Sequence, residues 1–120
     1  MPVTKEDLLA IADATIEQFR LAPIGIQIKD VACGRARYKT RKITLPIWVL
    51  ERNEAYSIWY VVHEIAHFKA IRKGHGPAFK RAERIMLKAW GIEIEYARAY
   101  AKKLYMNGEL EYERKPGIWY

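Results

Sequence analysis

Apolar residues fall into helical and strand periods in turn along the chain. Leu8, Ala12, Ile16 and Phe19 form one face of a helix from about Thr4 to Leu21. Thr4 predicts its cap, Asp7 takes the third helical position, and Val3 can staple onto Leu8. Pro23 ends it. Ile24, Ile26 and Ile28 then alternate as a half-buried strand does. A second strand is expected over Cys33–Lys39, with Ala36 and Tyr38 on one face, and a third over Ile43 and Leu45, closed by Pro46. The stretch 47–52 fits neither period.

Asn53 predicts the cap of a long helix reaching about Lys73. Ala55, Ile58, Trp59, Val62, Ala66 and Ile71 are its buried face, and Gly74 its stop. Pro77 is a favoured first-turn residue for the next helix. Phe79, Ala82, Ile85, Met86 and Trp90 give that helix its stripe, and Gly91 ends it. A last helix is expected from about Glu93 to Met106, stopped at Asn107-Gly108. The chain then divides into a domain over 1–108 and a tail over 109–120 that carries Leu110, Tyr112, Ile118, Trp119 and Tyr120. The expected fold class is α+β: an N-terminal helix, a small three-stranded sheet, a long helix, two further helices and a tail.

The long helix contains His63-Glu64-Ile65-Ala66-His67, the HExxH pattern. Residues four apart share a helix face, so both imidazoles can reach one metal ion through bonds of about 2.0–2.1 Å. Glu64 flanks that face and can act on a water bound there. With three His and eleven Glu in the chain, chance supplies the pattern roughly 0.007 times. His75 follows the helix stop, between Gly74 and Gly76, where the backbone can turn sharply back. It is the expected third ligand. Three protein ligands and one open position make a catalytic zinc site, with one Zn²⁺ per chain. The ion polarises a scissile carbonyl, and Glu64 moves the proton from water to the leaving amine. An oxyanion donor is also required. The chain offers eight tyrosines and ten arginines, among which Tyr96 and Tyr100 come into consideration, although core packing is the expected role of both.

The motif His63-Glu64-Ile65-Ala66-His67 with Gly74-His75-Gly76-Pro77-Ala78-Phe79-Lys80 resembles that of the SprT-like metallopeptidases, including the Spartan proteases that cut DNA–protein crosslinks. The likeness covers about residues 5–106. The size and single domain also resemble the minigluzincins of thermophilic prokaryotes, minimal zincins kept latent by C-terminal segments. The resemblance implies a zincin-like fold, His63, His67 and His75 as zinc ligands, Glu64 as base, and a latency segment in the tail. The chain departs from the Spartan pattern at Ala78, where Glu is usual, and its one cysteine cannot build a zinc ribbon. Glu83, sixteen residues after His67, stands where a gluzincin-type ligand is a consideration. With His75 available, a supporting or surface role is expected for it.

Composition narrows the partners. In 120 residues, 51 % are apolar and one is cysteine, Cys33. That excludes a disordered chain and a disulfide framework, and Cys33 is expected to be a small buried residue. No apolar run reaches the ~18–20 residues of a membrane span, and the first residues lack a signal peptide, so a cytoplasmic place is expected. Few Asn and Gln beside many ionic residues point to a heat-adapted source. The net charge of +7 admits nucleic acid. Arg35, Arg37, Lys39 and Arg41 alternate along one strand, but an edge strand kept soluble by charge is the favoured reading. The expected function is zinc-dependent endopeptidase acting on a peptide or protein substrate, with the tail holding it latent. The alternative is a nucleic-acid-associated protease, or a DNA-binding module with a non-catalytic zinc site.

Overall fold

The computed structural model describes residues 3–97 and 100–114, with residue 100 described by its backbone alone. The first helix, α1, spans Lys5–Gln18. Its capping box is complete: Thr4 Oγ1 accepts from Asp7 N at 3.1 Å, and Asp7 Oδ2 accepts from Thr4 N at 3.0 Å. Leu8, Ala12, Thr15 and Ile16 are its buried face. Thr15 is satisfied there, donating to Ile11 O and accepting from Trp90 Nε1.

Three short strands follow: β1 (Gly25–Lys29), β2 (Arg35–Arg37) and β3 (Lys42–Pro46). Their order is β1-β3-β2, with β1 parallel and β2 antiparallel to β3. The central strand carries the buried Ile43 and Leu45. β2 is an edge strand, and Arg35 and Arg37 on it are exposed. Arg41 leaves that row: its guanidinium donates to the carbonyls of Ala22 and Pro23. The ambiguous stretch 47–52 is mostly a 3₁₀ turn, Ile47–Glu51.

The central helix, α2, spans Glu54–Lys69. Asn53 caps it, Oδ1 accepting from Tyr56 N at 2.9 Å. Eleven of its sixteen residues are buried, so α1, the first sheet and α3 (Pro77–Lys88) all pack around it. It ends earlier than its sequence predicts, which leaves Ile71 exposed in the following turn. On α3 the buried residues are Phe79, Glu83, Met86 and Leu87, so the stripe is rotated away from the expected Ile85, which is exposed.

The expected helix over 93–106 is a β-hairpin. The strands β4 (Ile92–Ala97), β5 (Tyr100–Met106) and β6 (Glu109–Glu113) form a second antiparallel sheet in that order. Ile92, Ile94 and Tyr96 alternate with Glu93 and Glu95, a period of two. Asn107 and Gly108, expected as a helix stop, both have positive φ (52° and 86°), the signature of a two-residue hairpin turn. Residues 109–113, the start of the expected tail, are therefore a strand. Residues 115–120, with Ile118, Trp119 and Tyr120, lie outside the described residues. No described helix is long and apolar enough to cross a membrane.

Candidate metal centre

One turn of α2 separates His63 from His67, and their rings meet edge to face, centroids 5.2 Å apart. After α2 the chain turns through Arg72 (φ 62°) and Gly74 (φ 57°). Two left-handed residues in three reverse the backbone quickly. They bring the His75 ring to 5.1 Å from His63 and 4.9 Å from His67. One ligand atom from each of the three lies within 4.8 Å of the others. Phe79, in the first turn of α3, sets its ring 4.5–5.0 Å from all three imidazoles and forms an apolar floor.

Two of the histidines are held from behind. His63 Nδ1 lies 2.5 Å from Glu83 Oε2. Glu83 is 1 % exposed, and its other oxygen accepts from the Tyr96 hydroxyl at 2.7 Å. A carboxylate at Nδ1 fixes the proton there and leaves Nε2 as the free donor, the usual support of a metal-binding histidine. Tyr38 stands behind His67, its hydroxyl 3.5 Å from Nδ1. Three imidazoles form a donor set that suits zinc. Burial pushes the His67 imidazole down to about 4, aided by His63 and His75. His75 is also lowered, chiefly by burial. Both therefore stay neutral, as ligation requires.

Glu64 is buried beside the cluster, 7 % exposed. Burial raises its carboxyl above the usual range, the nearby His63 pulls it back, and Glu83 adds to the rise. The cluster opens on a cleft of about 940 Å³. Its walls come from α2, the segment entering β2, and the end of β6 (Tyr112 to Arg114). Tyr60 lines it, its phenol raised first by burial.

Tyr96, considered as an oxyanion donor but expected to pack in the core, does not line the cleft. Tyr96 serves Glu83 instead, with its ring under Lys80 and Arg84, and the Tyr100 side chain is outside the described residues. Cys33, expected as buried, is exposed on the rim. A small thiol on a segment that must stay open beside the cleft has no core to fill. Glu83 is the residue whose role sequence reasoning leaves open. Its position on the buried stripe of α3 (79, 83, 86) is the available signal, because an acid there needs a buried partner.

The helix with its paired histidines, the small mixed sheet and the returning third histidine define a zincin-like α+β fold. Solved structures share it, and two of them are metallopeptidase zymogens. One is the metallopeptidase zymogen abylysin of Pyrococcus abyssi, 24 % identical, with a TM-score of 0.58 over 64 % of this chain and 76 % of that one. The other is the metallopeptidase zymogen jannalysin of Methanocaldococcus jannaschii, 26 % identical, with a TM-score of 0.60 over 68 % of this chain and 82 % of that one. No protein-family model and no curated protein matches the chain.

Proposed function

We propose that this chain is a zinc-dependent endopeptidase, with His63, His67 and His75 as the ligands of one Zn²⁺ and Glu64 as the general base. The observation that carries the reading is the three-imidazole cluster, open to a cleft and flanked by a buried carboxyl. The likeness to two metallopeptidases supports it. Kinship with the SprT-like enzymes rests on the motif between His63 and Lys80. Bound there, zinc supplies polarisation of the scissile carbonyl and acidification of a water to a pKa of about 7. The chain supplies the rest. The cleft seats the peptide. Glu64 accepts the proton of the attacking water and hands it to the leaving amine, and its raised affinity for a proton suits that return step. Glu83 and Tyr38 keep the two helix histidines in place.

Elemental analysis tests the site. The wild type should hold about one zinc per chain and His75→Ala much less. Cleavage of an unstructured protein substrate should vanish in Glu64→Gln while zinc stays bound. A wild type that takes up no zinc after reconstitution overturns the reading.

Latency belongs to the same reading. Tyr112, Glu113 and Arg114, the last described residues, line the cleft, and the sequence that follows them carries Ile118, Trp119 and Tyr120. Both structural neighbours are zymogens. A chain ending at Arg114, which keeps β6, should cleave faster than the full chain. Equal rates overturn the latency.

A further inference from the structure

Tyr60 sits one turn before Glu64 on the same face of α2, at the wall of the cleft. Its ring is wedged among Trp48, Tyr56 and Trp59, at centroid distances of 5.6, 6.2 and 5.8 Å. The phenol is thus held by packing. Its oxygen is also held, because it accepts the Gly34 N–H at 2.8 Å. That bond uses a lone pair and leaves the hydroxyl proton uncommitted. Among the described residues no acceptor takes that proton.

Gly34 explains how close these groups are. A Cβ there would lie 2.6 Å from Tyr60 Cε1, 3.0 Å from its hydroxyl and 3.2 Å from Glu64 Oε2. Only glycine lets the rim approach so near, and the Tyr60 hydroxyl and the Glu64 carboxylate flank that one point. Of the tyrosines that touch the histidine cluster or its carboxylate support, Tyr96 is committed to Glu83 and Tyr38 lies against His67.

Peptide hydrolysis needs a donor where charge develops. As water adds to the carbonyl carbon, the C–O double bond becomes a single bond and its oxygen gains negative charge. The C–N bond then breaks, and the proton Glu64 took from water leaves with the amine. A prepositioned donor at the oxygen lowers that barrier without moving. We propose that Tyr60 is this donor: a catalytic residue whose hydroxyl hydrogen-bonds the scissile carbonyl oxygen as it becomes an oxyanion. The proposal rests on the peptidase reading above. It gives the Gly34–Tyr60 bond a purpose, which is to aim the hydroxyl proton into the cleft instead of toward the rim.

The test is Tyr60→Phe in the full zinc-loaded chain, beside the wild type, so that any effect of the tail is common to both. Three quantities are read: turnover of a peptide, affinity for a phosphinic peptide that mimics the tetrahedral state, and affinity for the cleaved product. Loss of one oxyanion donor costs about 10²-fold in kcat. The expected result is a fall of that order in kcat and a comparable weakening of the phosphinic peptide. Product affinity, KM and zinc content should stay within about twofold. A purely structural Tyr60 gives another pattern, and either form of it overturns the proposal: tetrahedral and product ligands weaken together, or neither changes. A wild type that cleaves nothing and binds no phosphinic peptide with zinc present fails earlier, by removing the peptidase reading and this proposal with it.

Discussion

Replacing Glu83 with Gln isolates what the buried carboxylate does for His63. The side chain keeps its size, so no cavity opens at a site that is 1 % exposed. The carboxylate receives two bonds, one at each oxygen: His63 Nδ1 at 2.5 Å and the Tyr96 hydroxyl at 2.7 Å. An amide offers only one oxygen for both. If it serves Tyr96, its NH₂ faces Nδ1, and the imidazole must move its proton to Nε2, the nitrogen assigned to the metal. If it turns to serve His63, Tyr96 must redirect its proton to Lys80 O, 3.3 Å away. In either orientation a charge-assisted bond becomes a neutral one. Outer partners of this kind are worth 10–100-fold in metal affinity, or about 1.4–2.7 kcal/mol. Metal-free stability should change by less than about 1 kcal/mol, because relief of carboxylate desolvation offsets the weaker bonds. Competition of zinc against a calibrated chelator gives the first quantity, and urea unfolding of metal-free protein gives the second. Zinc affinity within twofold of the wild type would refute the reasoning.

Other predictions follow from the same geometry. In metal-free protein the folded His67 and His75 titrate below the unfolded value of 6.5, His67 at about 4, so the unfolded chain binds more protons in between. Stability should be full above about pH 6.5 and decline as pH falls toward 4; a Tm independent of pH across that window contradicts the burial argument. Gly34→Ala must displace Tyr60 or the rim, given the 2.6 Å approach to its ring, and should cost about 1–3 kcal/mol without lowering zinc content. Gly108→Ala places a side chain at φ 86° and should cost about 1–2 kcal/mol, read as a lower Tm.

The parts of the site that share a helix are legible in the sequence alone. His63 and His67 need only the four-residue spacing and an amphipathic helix around them. His75 needs one more step, a turn tight enough to double back, and Gly74 signals it; Arg72 joins it in the left-handed region without any such signal. The α1 capping box is equally local, since Thr4 and Asp7 satisfy each other's backbone within one turn. Sequence is silent on whatever reaches the site from far along the chain. Gly34 meets Tyr60 across 26 positions, and Tyr38 meets His67 across 29. No periodicity encodes such pairings; they exist only once the sheet and the helix have packed. Exposure is hidden for a related reason. Ile71 and Ile85 have the right spacing for a core, but α2 stops short of one and α3 turns the other outward.

The unexpected hairpin and the open role of Glu83 are one problem. Residues 93–106 are rich in Ala, Lys, Glu, Leu and Met, which favour helix, and that composition masks the alternation of Ile92, Ile94 and Tyr96. A helix would distribute Glu93, Glu95 and Tyr96 around its axis. A strand puts Ile92, Ile94 and Tyr96 on one side and sends both acids to the other. The inward side packs on α3, which is where Tyr96 reaches the second oxygen of Glu83. Glu83 could not stay buried with His63 as its sole partner, because its remaining oxygen would be left without a donor. The same sheet, through β6, carries Tyr112 to within 5.0 Å of Tyr56 and lets Asn53, the cap of α2, donate to Glu111 O. The second sheet thus braces α2 at its N-terminal cap and, through Tyr96 and Glu83, at the first histidine. A chain lacking this sheet would still carry the HExxH spacing, but His63 would lose the partner that selects which of its nitrogens faces the cluster.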